Sequence, residues 1–354
     1  MKIVSVGTAL PENYYPQDEI LRFFREHFWD RAGVDPDQLQ RIADNVQVAG
    51  RYFAVSLEQM SALRDFGQAN RTWLDKAVQL GGDALLEAFE RSSLCADEIR
   101  TLVSTTVTGI ATPTLEARLM NRLQLPSQIR RVPLFGLGCV AGVAGIARVS
   151  DYLRAYPAEV GVLLSVELCL LTLQRDDVSV ENFIGSSLFG DGAAAVTLMG
   201  AQHPAYASLD GPRVLATRSI FYPDTEAVMG WDVRPTGFKL LLSPQVPQLV
   251  REHLRQNVEC FLAEQGLGLS DIASYVCHPG GPKVLQAIEE SLQTPAGALQ
   301  VTWGQLKRCG NLSSASVLFV LRETMERRRP PQGSYGLMIA LGPGFCSELV
   351  LLQW

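Results

Sequence analysis

The stretch IRRVPLFGLGCVAGVAGIARVSDYLRAYP, residues 129–157, predicts a strand that passes through a glycine-rich turn into a helix of small apolar residues. Further strands are predicted in IRTLVSTTVTG (99–109), VGVLLSVEL (160–168) and GDGAAAVTLMG (190–200), and EARLMNRLQL (116–125) predicts a helix. Such alternation of strands and helices is typical of a layered α/β architecture.

A similar order of elements follows residue 212. The pattern predicts a long amphipathic helix, a strand that ends in a turn, two helices and a closing hairpin (244–266, 272–281, 282–292, 313–328 and 333–354). The like order suggests an internal duplication, with domains at 1–211 and 212–354. No Pro- or Ser-rich linker separates the halves, so we expect them to share one core.

The composition is that of an ordinary globular protein, with 354 residues, 47% hydrophobic and 19% charged residues and a formal net charge of -6. This mild acidity without a basic stripe argues against nucleic acid as a partner. The most apolar run is too short to span a bilayer, and the first residues lack signal-peptide features, so we expect a cytoplasmic protein. The seven cysteines contain no CxxC pair and indicate neither a disulfide framework nor a metal site.

Three polar residues lie at predicted junctions between strands, turns and helices. Cys139 lies where a strand becomes a helix, and a helix N-terminus lowers the pKa of a thiol placed there; a packed core cysteine is the alternative. His278 opens the turn HPGG at the end of an apolar strand, where α/β sheets place functional groups. Asn311, in CGNLSSAS, is either a helix cap or an amide donor for a developing oxyanion. Together they would form a cysteine-nucleophile site.

With these residues in place, the chain resembles the type III polyketide synthases, the chalcone and stilbene synthase superfamily. The motifs that carry the resemblance are GCVAG (138–142), LFGDGAAA (188–195), HPGGPKV (278–284), GNLSSAS (310–316) and ALGPGF (340–345). The last begins with Ala340 where the family often has glycine. The resemblance implies a thiolase-like, duplicated five-layer α-β-α-β-α fold.

The resemblance also implies a mechanism. Cys139 accepts an acyl group from an acyl-CoA starter, and His278, as an imidazolium, pairs with its thiolate. Malonyl-CoA then loses carbon dioxide, and His278 and Asn311 stabilise the enolate that attacks the cysteinyl thioester. Lactonisation or carbon–carbon closure ends the sequence. Coenzyme A thioesters are substrates here, and no metal or redox cofactor is needed.

Further residues are expected around the substrate. Phe189 and Phe238 are implied to flank the passage to the pocket. The other substrate-binding candidates are Thr106, Cys169, Thr172, Met229 and Ser313. Cys169 replaces a threonine and Met229 a glycine of chalcone synthases, with core packing as the alternative for both. This pattern resembles the bacterial branch, which implies a fatty acyl-CoA starter and an alkylpyrone or alkylresorcinol product.

The family holds coenzyme A phosphates with basic residues on an early helix. In this chain Arg41 is present there, but Gln38 and Asn45 stand where plant enzymes have lysines. Lys283, at the start of a helix after His278, is therefore a candidate phosphate contact, with Lys307 and Arg308 as second choices. An ordinary solvated lysine is the alternative.

The resemblance implies a homodimer. The small residues of VAGVAGIA are expected to allow close approach between subunits. The loop TGIATPT (108–114) is expected to reach the partner's cavity, with Thr112 or a neighbour in place of the methionine of plant enzymes.

Two other functions remain open. A β-ketoacyl-carrier-protein synthase III shares the Cys, His and Asn but usually carries HQAN where this chain has HPGG. A non-catalytic acyl-CoA-binding relative would not need all three residues.

Overall fold

The computed structural model describes residues 1–29 and 35–354. The strands are β1 (Lys2–Ala9), β2 (Asn13–Pro16), β3 (Gly50–Phe53), β4 (Ile99–Thr105), β5 (Arg130–Leu134), β6 (Val160–Leu168), β7 (Asp191–Met199), β8 (Arg213–Phe221), β9 (Met229–Arg234), β10 (Gly237–Leu242), β11 (Ile272–Cys277), β12 (Tyr335–Gly342) and β13 (Cys346–Gln353). The helices are α1 (Gln17–Phe24), α2 (Pro36–Val46), α3 (Leu57–Ala62), α4 (Phe66–Ser92), α5 (Leu115–Leu123), α6 (Ala141–Ala155), α7 (Val180–Leu188), α8 (Val246–Ala263), α9 (Pro282–Leu292), α10 (Gln300–Cys309) and α11 (Ser316–Arg327).

Nine strands form one sheet in the order β11-β12-β13-β8-β1-β7-β6-β4-β5. The halves of the chain meet where Lys2 of β1 pairs with Arg213 of β8. In the first half, β4 is parallel to β6, and β7 is antiparallel to both β6 and β1. In the second half, β11 is parallel to β12, and β13 is antiparallel to both β12 and β8. The strand directions therefore repeat, as the predicted duplication requires, while the boundary between residues 211 and 212 stays a prediction.

The layers follow from the alternation of side chains along each strand. In β12, Met338 and Ala340 enter one apolar cluster, whereas Leu337 and Ile339 enter another on the opposite face. Helices α6 and α11 lie in the middle cluster, between the strands of the first half and those of the second. Helix α4 covers β1, β6 and β7 on one outer face, and α8 and α9 cover the strands of the second half on the other. This is the expected five-layer arrangement.

The small residues of α6 pack within the chain, contrary to the expectation that they serve contact between subunits. The helix is buried on nearly all sides over residues 141–147. A Cβ on Gly145 would lie 2.4 Å from the side chain of Leu163, and one on Gly142 would lie 2.3 Å from the carbonyl oxygen of Ser314. The glycines therefore allow α6 to lie close to β6 and to the turn before α11.

The sequence pattern did not predict the antiparallel pair β9–β10, which forms a small sheet of its own. It is called the β9–β10 hairpin below and includes residues 229–242. Among the described residues, no helix combines the length and the apolar character that a membrane crossing requires.

Candidate active site

One cavity of about 690 Å³ is lined by residues of both halves of the chain. Its lining is largely apolar, and its size is typical of pockets that enclose small-molecule ligands. Most of the site residues predicted from the sequence meet there, namely Cys139, Cys169, Phe189, Met229, Phe238, His278, Lys283, Asn311 and Ser313.

Cys139 lies on a one-turn helix, Gly138–Val140, directly before α6. Gly138 has a φ of 53°, and a Cβ there would lie 2.7 Å from the ring of Pro343, so the turn requires glycine. Cys139 is buried, with 8% of its surface exposed, and it lines the cavity. Its Sγ lies 3.7 Å from the Oγ of Ser313.

His278 follows β11, as the sequence predicts. Its main-chain N–H donates to the carbonyl oxygen of Ile339 on β12 at 2.8 Å, and the N–H of Gly280 donates back to the His278 carbonyl oxygen at 2.9 Å. These two bonds fix the turn that holds the imidazole at the cavity. The side chain is buried, and within the described part of the chain neither ring nitrogen has a hydrogen-bond partner. Neither nitrogen is therefore committed to a partner in that part of the chain.

Asn311 has a main chain and a side-chain amide that are both held in place. Its N–H donates to the Leu188 carbonyl oxygen at 2.9 Å, and its own carbonyl oxygen accepts from the N–H of Gly190 at 3.0 Å. The side-chain Oδ1 accepts from the N–H of Ser313 at 2.8 Å, which leaves Nδ2 as the free end, 3.5 Å from the carbonyl oxygen of Gly280. Asn311 is thus oriented as a donor toward the turn that carries His278.

Burial in the cavity acts against the predicted thiolate–imidazolium pair, which stays a prediction. Burial raises the pKa of the Cys139 thiol to about 12, against a lowering effect of the Ser313 hydroxyl. Burial also lowers the pKa of His278 to about 3. No hydrogen bond joins the two side chains. Burial therefore favours the uncharged form of both groups.

Glu167, at the end of β6, is a buried acid near the cysteine that the sequence analysis did not select. Its carboxylate accepts hydrogen bonds from the Ser314 hydroxyl, from Val107 N–H at 3.1 Å and from the Thr108 hydroxyl at 3.1 Å. Burial raises its pKa to about 7. An acid inside an otherwise apolar strand was the available sequence signal. Glu167 ties the loop after β4 to the turn that carries Ser313.

Phe189 is held by Arg51, a residue for which the sequence offers no signal. The fully buried guanidinium donates through one Nη to the Phe189 carbonyl oxygen at 2.6 Å and through Nε to Gln17 Oε1 at 3.1 Å. Gln17 in turn donates to the Ser187 carbonyl oxygen at 2.7 Å. A cation and an amide thus satisfy carbonyls at the C-terminal end of α7, which places Phe189 at the cavity.

Five predicted site residues lie outside the cavity lining, including the second choices Lys307 and Arg308. The Thr106 hydroxyl faces the buried carboxylate of Glu167 at 3.5 Å, and the Thr172 hydroxyl donates to the carbonyl oxygen of Cys169 at 2.7 Å. Arg41 projects from the exposed face of α2 and pairs with Asp35 at 3.6 Å. Thr106 and Thr172 thus have polar partners outside the cavity, whereas Arg41 lies on a solvent-exposed helix face. On α2 the residues that reach the cavity are Ile42, Asn45 and Val46.

Family models of the chalcone and stilbene synthases match both halves of the chain. The model of the N-terminal domain matches residues 1–203, and that of the C-terminal domain matches residues 213–354. The chain belongs to this family. It is a type III polyketide synthase, an enzyme of the acyltransferase class, as its motifs indicated. The family match sets aside the β-ketoacyl-carrier-protein synthase III alternative.

Bacterial enzymes are among the relatives and structures similar to this synthase. It is 45% identical over 352 residues to a 1,3,6,8-tetrahydroxynaphthalene synthase of Streptomyces peucetius subsp. caesius, covering 99% of this chain and 93% of that protein. It is 34% identical over 359 residues to a putative chalcone synthase of Bacillus subtilis, covering 99% and 98%. The crystal structure of the tetrahydroxynaphthalene synthase of Streptomyces coelicolor, described as a bacterial type III polyketide synthase, has a TM-score of 0.93 at 28% identity and covers 100% of this chain and 99% of that one.

Proposed function

We propose that this synthase builds a polyketide on Cys139 by decarboxylative condensation of malonyl-CoA, with His278 and Asn311 as catalytic residues. The observation that carries the proposal is the meeting of a thiol, an imidazole with unpartnered nitrogens and an oriented amide donor in one enclosed cavity. These are the groups that thioester chemistry needs: a nucleophile, a proton acceptor and donors for a developing oxyanion.

Acylation begins from neutral groups. As the Cys139 sulfur attacks the thioester carbonyl, its proton passes to a ring nitrogen of His278, and coenzyme A leaves and takes up that proton. The missing hydrogen bond between the two side chains is compatible with this role, because catalytic hydrogen bonds often tighten only in the complex with substrate. The helix N-terminus at α6 stabilises the negative charge that develops on sulfur.

Chain extension then consumes malonyl-CoA. The bond between its carboxyl carbon and the neighbouring carbon breaks, carbon dioxide leaves, and the electron pair moves toward the thioester oxygen as an enolate. Asn311 Nδ2 and the protonated nitrogen of His278 donate to that oxygen. The enolate carbon attacks the acyl carbon on Cys139, and the carbon–sulfur bond breaks. The product stays bound to coenzyme A and is two carbons longer.

The product is the finer part of the proposal. We favour a polyhydroxylated aromatic ring system made from malonyl units alone, because of the 45% identity along nearly the whole chain to a tetrahydroxynaphthalene synthase. The ten ring carbons of a naphthalene correspond to five two-carbon units, so malonyl-CoA alone can supply all of them. No separate starter is then required.

The second candidate is the one predicted from the sequence, a fatty acyl-CoA starter that yields an alkylpyrone or alkylresorcinol. The apolar lining of the cavity, with Cys169 and Met229 on its wall, favours an alkyl chain. Supplying the enzyme with malonyl-CoA alone and with a series of acyl-CoA starters, and weighing the products, separates the candidates. A product without an alkyl chain supports the first, and products that lengthen with the starter support the second.

We also propose that coenzyme A approaches along α9 and that the synthase is a homodimer. Lys283 is exposed at the first turn of α9 and lines the cavity, where a cation and a helix N-terminus favour phosphate.

For the dimer, β5 is an edge strand of the sheet and carries Val132, which is 40% exposed and is followed by Phe135 at 58%. Apolar side chains exposed together beside the edge of a sheet favour contact with a second chain. The nearby Ile110, in the loop expected to reach the partner, is also exposed.

The test of the catalytic role uses two cysteines of the same cavity. Cys139→Ala should form no covalent acyl adduct and no polyketide, whereas Cys169→Ala, the matched control, should keep both. Intact-protein mass spectrometry after incubation with malonyl-CoA or acyl-CoA measures the adduct, and chromatography with mass detection measures the product. Polyketide formation by Cys139→Ala, or an adduct that requires Cys169, would overturn the assignment. Cys139→Gln should retain decarboxylation of malonyl-CoA without condensation.

A further inference from the structure

The β9–β10 hairpin forms a wall of the cavity without belonging to the large sheet. It contributes Met229, Trp231, Phe238 and Leu240 to the lining. Because its two strands pair only with each other, side-chain contacts must fix its distance from the rest of the protein. One such contact is the indole N–H of Trp231, which donates to the carbonyl oxygen of Val107 at 2.9 Å. It holds one strand of the hairpin, and a second set of contacts holds the turn.

Gln174 makes the contacts to the turn. Its Oε1 accepts from the Thr236 hydroxyl at 2.7 Å, and its Nε2 donates to the carbonyl oxygen of Thr172 at 3.1 Å. The same Nε2 lies 3.4 Å from the carbonyl oxygens of Thr236 and Phe238. A single amide thus joins the tip of the hairpin, including Phe238, to the 169–172 turn that carries Cys169.

The backbone of the hairpin is shaped to receive this amide. Gly237 has a φ of 117°, and a Cβ there would lie 3.1 Å from the ring of Phe66 and 3.5 Å from Gln174 Nε2. Next to it, the Phe238 ring packs edge-on against Phe66, with centroids 5.2 Å apart. A larger residue at 237 would push the turn away from both groups, so the turn is built for close seating.

One polar contact extends the connection to α7, and another reaches the loop before it. Asn182 Nδ2 donates to the Gln174 carbonyl oxygen at 2.9 Å, which fixes the main chain from which the amide projects. Lys239 on β10 pairs with Asp177 at 3.2 Å, with both side chains largely buried. Three walls of the cavity, namely the hairpin, the 169–172 turn and α7, therefore meet at Gln174, which does not itself line the cavity.

We propose that Gln174 is a positioning residue that holds the β9–β10 hairpin and Phe238 in place and thereby sets how long a polyketide the cavity accommodates. The inference rests on the proposed function. Gln174 lies outside the cavity and acts on product length by fixing the distance between the hairpin and the 169–172 turn. Loss of the amide should let the hairpin shift without altering the groups at Cys139.

The test compares variants on both sides of the contact. Gln174→Ala removes the amide, and Thr236→Val removes only the hydroxyl at nearly constant shape. Thr236→Ser is the matched control, because it keeps the hydroxyl. We expect the first two variants to change the ratio of long to short polyketides by about fivefold, the effect of one lost hydrogen bond, with acylation of Cys139 unchanged. Hydrogen exchange of residues 229–242 should accelerate by a similar factor, and Thr236→Ser should match the wild type in both measurements.

Several outcomes would overturn the inference. A product ratio that stays unchanged in both Gln174→Ala and Thr236→Val shows that the contact is structural only, as does a uniform loss of all products. If Gln174→Ala does not fold, Thr236→Val alone decides. Failure of the proposed function is distinguishable, because the wild type would then form no adduct and no polyketide. Hairpin exchange in the variants would still report whether Gln174 holds the hairpin.

Discussion

Replacing Gly142 with alanine should damage catalysis although Gly142 does not line the cavity. A Cβ at this position would lie 2.3 Å from the carbonyl oxygen of Ser314 and 2.7 Å from Cγ1 of Val317. To restore an ordinary contact of 3.4 Å, the carbonyl must retreat by about 1 Å. That carbonyl belongs to the turn that carries Ser313 beside Cys139, so the shift reaches the site directly.

The expected effects of Gly142→Ala on stability and on kcat/KM are estimated separately. Overpacking in a well-packed core costs about 1–3 kcal/mol of the free energy of unfolding, and alanine returns at most about 1 kcal/mol through its higher helix propensity. A displacement of about 1 Å in a catalytic constellation lowers activity on the order of 100-fold. We therefore expect kcat/KM for polyketide formation to fall by about that factor, with a smaller loss of stability.

Gly82→Ala is the matched control, because it adds the same methyl group to helix α4. Its Cβ would lie 3.7 Å from Leu119 and 3.8 Å from Arg122, which are ordinary contacts. This variant should keep full activity and gain up to about 1 kcal/mol of stability. Steady-state kinetics with malonyl-CoA and urea unfolding measure both effects. Wild-type kcat/KM in Gly142→Ala would refute the argument that close approach of α6 to the 313–315 turn aligns the site.

Three further predictions concern charge, pH and assembly. Lys283→Ala should raise KM for malonyl-CoA and leave kcat nearly unchanged, and the rise in KM should be smaller at high salt. Arg41→Ala should alter KM little. Equal effects of the two variants on KM would contradict the proposed path of coenzyme A. Because burial raises the pKa of Glu167 from 4.5 to about 7, the folded protein retains a proton that the unfolded chain releases, so the free energy of unfolding should fall as pH rises through this window. Glu167→Gln should flatten that fall in urea titrations at pH 5 and pH 8, and an unchanged slope would assign it to other groups. Val132→Asp should shift the dimer toward monomer in light scattering at micromolar concentration, and a monomeric wild type would refute the dimer.

Much of the site was predictable from local patterns. Cys139, His278 and Asn311 each lie at a junction that apolar runs and glycines mark along the chain, and the structure brings all three to one cavity. The layered fold was predictable for the same reason, because alternation within a strand and periodicity within a helix are properties of neighbouring residues. Burial and charge are different, since they depend on residues far apart in the chain.

The sequence by itself thus determined the fold class, the family and the candidate catalytic residues. Only the tertiary structure decided how deeply they are buried, and burial by the packed halves raises the pKa of Cys139 and lowers that of His278. It also decided that the packed side of α2, with Ile42 and Val46, faces the cavity while Arg41 does not. Finally, it placed Gln174 against Phe238 of the β9–β10 hairpin, although the two residues are more than sixty positions apart in the sequence. Such contacts arise from how the layers meet, which no local pattern encodes.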